Sequence, residues 1–171
     1  MTSMSDVADA AGVTKPVLYQ HFPSKRALYL EVLHDAGHRL ADSLEKATSI
    51  ASGPRDQVER GLLAFFQFVQ DERSAFTVLF GGGTRRDQEF AQAAAEVEHA
   101  IAASIASRID VVGLGHIERA ILGSAIVGLA AGASRQWVQL GLPEPPEQLA
   151  QLVGAFAWTG LRGLSVAATP T

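Results

Sequence analysis

Between Asp6 and Leu28 the chain reads DVADAAGVTKPVLYQHFPSKRAL, and its apolar pattern stops at Gly12, restarts after Thr14, breaks at Pro23 and starts again. Helices this short cannot each carry a core, because isolated helices under about 12 residues are marginal in water. Something other than burial fixes their spacing. Val7, Ala8 and Ala11 share one face of a first short helix, and Gly12 suits the left-handed backbone that ends it. Thr14 caps a second helix, where Pro16 is tolerated because the first-turn amides need no intrahelical partner. Leu18 and Phe22, four apart, point inward, leaving Lys15, Pro16, Val17, Tyr19 and Gln20 outward.

Two short helices joined by a tight glycine-containing turn form the helix-turn-helix arrangement, whose second helix stands proud to enter a groove about 12 Å wide. Lys15, Tyr19 and the Thr14 hydroxyl suit phosphates, and Lys25 sits at a helix N-terminus that also favours an anion. Pro16 and Val17 suit thymine methyls; Gln20 and His21 suit base edges. The same pattern also fits an ordinary helical hairpin with a solvated face.

The overall charge of −4 opposes a nucleic-acid partner, but its distribution does not. All three lysines fall in the first 46 residues, and from Ala10 to Leu30 there are three basic side chains and no acid. The chain has no cysteine, which excludes disulfides and thiolate chemistry and fits a reducing cytoplasm. The longest apolar run, Ala120 to Ser134, is 15 residues, against the roughly 20 of a membrane span. It reads as a buried helix, with no membrane partner.

No segment alternates long enough for a strand, so the fold class is all-α. Helical segments are expected over 3–11, 15–22, 24–50, 54–72, 73–80, 86–110, 115–141 and 146–167. On the long helix capped by Ser24, Tyr29, Leu33, Ala36, Leu40 and Leu44 form the apolar stripe; Glu31, Asp35, His38, Asp42 and Glu45 form a solvated face. Two units follow: a helix-turn-helix head with its connecting helix, 1–46, and a larger helical domain, 47–171.

The stretch MSDVADAAGVTKPVLYQHFPSKRALYLEVL, residues 4–33, closely resembles the DNA-binding domain of the TetR (tetracycline-repressor) family of bacterial regulators. Val7-Ala8, Ala11-Gly12-Val13, Leu18-Tyr19, His21-Phe22, Ser24-Lys25 and Leu28 fall in register. The resemblance implies a homodimeric, cytoplasmic repressor on a near-palindromic double-stranded operator, released by a small hydrophobic effector. It also turns the aromatic cluster of Phe65, Phe66, Phe68, Phe76 and Phe80, otherwise plain core, into an expected effector pocket lined by Phe65, Phe68, Val69, Phe76 and Phe80 and edged by His99, Gln136 and Trp137. Ligand is then expected to perturb Trp137 fluorescence rather than Trp158. The small-residue row Ser124, Gly128 and Gly132 and the stripe Leu149, Leu152, Val153, Phe156, Gly160 and Leu164 also fit plain core, but the resemblance implies a dimeric four-helix bundle that both faces suit.

The family's domain begins with a further helix that should end just before Thr2, so this chain is expected to lack it and to have a mobile head. The alternative function is then a helical ligand-binding or dimerisation module with an incomplete DNA-reading end. Glu31, His34 and His38 share a helix face but lack a metalloprotease order, and Gly81 to Gly83 lacks the lysine of a phosphate loop. No metal, no cofactor and no enzymatic activity are expected.

Overall fold

The computed structural model describes residues 3–81, 88–109, 111 and 113–164. They form α1 (Met4–Ala11), α2 (Lys15–His21), α3 (Lys25–Ser49), α4 (Pro54–Asp71), α5 (Arg73–Phe80), α6 (Gln88–Ala106), α7 (His116–Gln139) and α8 (Pro146–Arg162), with no strand among them. The all-α expectation holds. Expected helix at 86, 87, 110 and 165–167, and the Gly82–Arg86 part of the glycine run, lie outside the described residues.

The head has its own small core. Met4, Ala8 and Leu18 are buried, with Val7, Phe22 and Leu28 half-buried around them. Ala11, expected inward, is exposed, because the helix ends beside it and Gly12 turns the chain away at φ 67°. The Val13 N–H bonds the Ala8 carbonyl at 3.0 Å and the Gly12 N–H bonds that of Asp9 at 3.2 Å, closing the helix end.

The larger core is built by α3 to α8. Leu33 and Leu40 from α3, Phe66 and Val69 from α4 and Leu79 from α5 are almost wholly buried, each worth about 1.5–3 kcal/mol. The α3–α4 turn is set by Asp56, which accepts from the Ser52 N–H at 2.8 Å and from Arg60 Nε at 2.8 Å. Those bonds, Ser52's first, hold the Asp56 carboxyl below the usual carboxylate range.

At 24 residues, α7 is by length and composition long and apolar enough to cross a membrane. Its inner face, with Gly123, Val127, Ala130, Ala131 and Trp137, is nevertheless buried in the core. Gly123 permits that packing: a Cβ there would stand 2.3 Å from the Ala102 carbonyl oxygen on α6.

Candidate reading surface and ligand cavity

The two serine caps of the head are occupied. Ser3 Oγ accepts from the Asp6 N–H at 3.2 Å while its own N–H donates to Asp6 at 2.7 Å, and Ser24 Oγ accepts from Ala27 at 3.1 Å. The Ser3 bonds hold the Asp6 carboxyl below its usual range. Thr14, at the start of α2, makes no such cap and keeps its hydroxyl available. Lys15, Pro16, Val17, Tyr19, Gln20, His21 and Lys25 are all exposed, as is Thr14. Lys15 Nζ lies 6.0 Å from the Tyr19 ring centroid, so a cation and a phenol are presented together. Lys25 is the first residue of α3, one turn beyond the reading helix.

Helix α3 then continues into the wall of a cavity of about 680 Å³, open to solvent on one side and lined by α3, α4, α6, α7 and α8. From α3 it is lined by His34, Gly37, His38, Ala41, Leu44, Glu45 and Thr48. At 1.5 Å per residue, the span from His34 to Thr48 is about 21 Å. Apolar groups such as Val58, Phe65, Val97, Ile101, Ile105 and Val127 face it, with Trp158, Leu161 and Arg162 contributed by α8.

This is not where the aromatic cluster points. Of the residues expected to form the pocket, Phe65 alone lines the cavity. Phe68, Val69, Phe76 and Phe80 are buried core, and Phe65, Phe76 and Phe80 pack edge-on or tilted against one another with centroids 5.4–6.4 Å apart. Rings that fill each other's space leave none for a ligand. Trp137 is buried edge-on against Phe66, 6.1 Å between centroids. Its indole N–H donates to the Glu144 carbonyl at 3.0 Å, bracing the α7–α8 connection. Gln136 is exposed, and His99 faces a separate, smaller space of about 400 Å³ between α6 and α7. The wall residues His34, His38, Glu45, Arg108, Trp158 and Arg162 escaped the sequence reading. Their one signal was small and polar groups recurring every three or four residues down α3, which looks like a solvated face until α6 and α8 are in place.

The stripe expected at the dimer interface divides in two. Val153 is buried in the protomer's own core and Leu149 is half-buried against it, because their side of α8 packs on α4. Leu152 and Phe156, both 70% exposed, face away with Gly160. On α7, Ser124 and Gly128 are exposed and Gly132 is half-buried. Ile117 and Ile121 of α7 are also exposed, 71% and 62%, although the small-residue row did not include them. Leu164 is exposed but also borders the cavity. Among the described residues no group of three or more histidine and acidic side chains is placed to hold a metal.

A helix-turn-helix head set on a long helix that becomes one wall of an apolar cavity defines a ligand-binding transcriptional regulator. Residues 1–32 match the family model "Bacterial regulatory proteins, tetR family", and residues 54–160 match "Tetracyclin repressor-like, C-terminal domain". The chain belongs to the TetR family. It is 29% identical over 162 residues to the HTH-type transcriptional activator FasR of Mycolicibacterium smegmatis, covering 92% of this chain and 73% of FasR. To the HTH-type transcriptional repressor KstR2 of the same organism it is 29% identical over 91 residues, 53% of this chain and 44% of KstR2. A TetR-like regulator from Rhodococcus sp. RHA1 superposes with a TM-score of 0.76 at 26% identity, covering 95% of this chain and 86% of that one. FadR from Bacillus subtilis, solved in complex with stearoyl-CoA, shares the fold with a TM-score of 0.76 at 14% identity, covering 93% and 88%.

Proposed function

We propose that this chain acts in the cytoplasm as a homodimer on a near-palindromic operator, repressing by occupancy until a small hydrophobic effector in the α3–α8 cavity releases it. One observation carries the reading. A single helix, α3, bears the exposed Lys25, which we assign to a phosphate, at its start and cavity-wall residues from His34 to Thr48 beyond it. A ligand that favours one position of α3 therefore favours one position of the reading head, and its differential affinity sets the shift.

The effector class follows from shape. A cavity about 21 Å long and about 680 Å³ in volume, walled mainly by aliphatic side chains, suits a long unbranched chain such as a fatty acyl group. The stearoyl-CoA bound by the Bacillus FadR supports that class. The exposed Leu152, Phe156, Ile117 and Ile121 support pairing with a second copy, since apolar side chains of this size gathered on two helices mark an interface.

The test is selection of duplexes from a random pool, followed by binding measurements at fixed salt with and without a long-chain acyl ligand. A near-palindromic consensus bound by two protomers, and weakened by the ligand, is expected. Selection of no sequence would overturn the DNA-reading assignment; a consensus whose affinity ignores every acyl ligand would overturn the effector assignment.

A further inference from the structure

We propose that Arg108 selects effectors with an anionic head group, and that Glu45 is the carboxylate such a head displaces; this rests on reading the large cavity as the effector site. Both residues line that cavity, Glu45 from α3 and Arg108 from just beyond α6, and their side chains form an ion pair across it. The surrounding wall is chiefly aliphatic, with Leu44, Ile105 and Ile109 close in sequence to the pair. A guanidinium placed there offers an anion a permanently charged, planar fork of donors beside an apolar wall that can hold the anion's chain.

The two partners differ in how firmly they are held. Arg108 is the more covered, with 29% of its side chain exposed against 60% for Glu45. Arg108 is also tied to its own helix end, donating from Nη1 to the Ser104 carbonyl at 2.9 Å. The Glu45 carboxylate accepts from Nη2 alone among the described residues. The arginine is thus the fixed element, and the glutamate is the one free to swing out.

Replacing Glu45 with a ligand carboxylate or phosphate keeps the guanidinium paired throughout, so no covered charge is stranded during the exchange. The other titratable groups of the cavity do not compete for this role. Glu96 stands twelve residues earlier on the α6 side, about 18 Å along a helix axis, and accepts from Gln92 at 3.1 Å. His34 and His38 lie toward the same far end, on the earlier turns of α3. Arg162, in the last turn of α8, adds a second cation to the cavity wall and makes no ion pair with a described residue.

Isothermal titration of the full chain with dodecanoate, dodecanoyl-coenzyme A and methyl dodecanoate compares a carboxylate, phosphate-bearing and neutral head on one chain length. Arg108→Gln is expected to weaken at least one of the two anionic ligands about tenfold or more. Glu45→Gln, which removes the competitor, is expected to tighten the same ligand, while the methyl ester binds all three proteins equally. Whichever anion responds identifies the head as carboxylate or phosphate. If the ester moves with the anions, or both substitutions shift affinity in the same direction, the head-group assignment is wrong and the effector cavity still stands. If neither these ligands nor stearoyl-coenzyme A binds the unaltered protein, the cavity reading fails and the head-group assignment fails with it.

Discussion

The rings of Tyr29 and Phe90 lie 4.3 Å apart, their planes inclined at 43°. Arg26, one turn earlier on α3, holds its guanidinium 5.7 Å from the same Phe90 ring and pairs with Glu89. The first turn of α6 is thereby fastened to α3 just beyond the reading head. Further along, Gly37 brings the two helices so close that a Cβ there would stand 2.5 Å from Val97 Cγ1. Gly37 and Val97 both belong to the cavity wall, so the head and the cavity share one seam.

Cutting that seam at its upper end should uncouple ligand from DNA. An aromatic pair is worth about 0.5–1.5 kcal/mol beyond its burial, against about 1–3 kcal/mol for a typical coupling between sites. Phe90→Ala is therefore expected to leave ligand-free operator affinity within about twofold while shrinking the ligand-induced change several-fold. Fluorescence anisotropy with and without effector reads both quantities. An undiminished ligand effect would show that the message travels by another route.

Fluorescence locates the occupied cavity independently. Trp158 borders it, whereas Trp137 is buried against Phe66. The emission change on adding an acyl ligand should vanish in Trp158→Phe and persist in Trp137→Phe. The reverse pattern would return the ligand to the phenylalanine cluster.

That reversal of the two tryptophans marks how far the sequence can be read. The head was legible because its signals are local: Gly12 ends one helix, Pro16 and Ser24 open the next two, and each acts within a turn or so of its own position. Thr14 departs from this only in leaving its expected cap unmade. The cavity was illegible for a tertiary reason. His38 and Glu45 lie opposite the apolar stripe of α3 and stay exposed, and that second face becomes a cavity wall only because α6 and α8 stand beside it. Of the phenylalanines expected at the pocket only Phe65 lines the cavity, because aromatic density in sequence does not distinguish rings that face a space from rings that fill it.

On the reading surface, Lys25→Ala should weaken specific and random duplexes alike. Loss of one phosphate contact is expected to lower the slope of log affinity against log salt by about one. Gln20→Ala and Val17→Ala should instead change base preference at individual positions, by about 1–3 kcal/mol per contacted base pair. Uniform loss across all sequences in all three variants would mean that α2 does not face the bases.

Acid should loosen the α3–α4 turn. The Asp56 carboxyl is held below its unfolded-state pKa by the Ser52 N–H and by Arg60. A depressed pKa of this kind contributes stability above the ordinary carboxylate value, and that contribution is lost as pH falls through the folded-state value. Asp56→Asn should thus be less stable than the parent at pH 6, with the gap narrowing steadily below about pH 4. Urea unfolding at several pH values measures this; a gap independent of pH would remove the titration of Asp56 from the account.

The outer face of α8 gives the sharpest separation between assembly and folding. Leu152 and Phe156 are 70% exposed in the protomer, so replacing either with glutamate removes little of the protomer's own packing. Paired against a second copy, the same two side chains would be covered, and a charge there would be stranded without a partner. Phe156→Glu is expected to give a folded monomer with near-parental thermal stability per chain and operator affinity reduced at least a hundredfold, about 2.7 kcal/mol. Val153, three residues before Phe156 but buried in the protomer core, should behave oppositely. Val153→Ala should lower stability by about 1–3 kcal/mol and leave the surviving folded fraction dimeric. Sedimentation equilibrium beside thermal unfolding distinguishes the two. A Phe156→Glu protein that remained a tight dimer would place the interface on another surface, and one that failed to fold would show that this face is covered within a single chain.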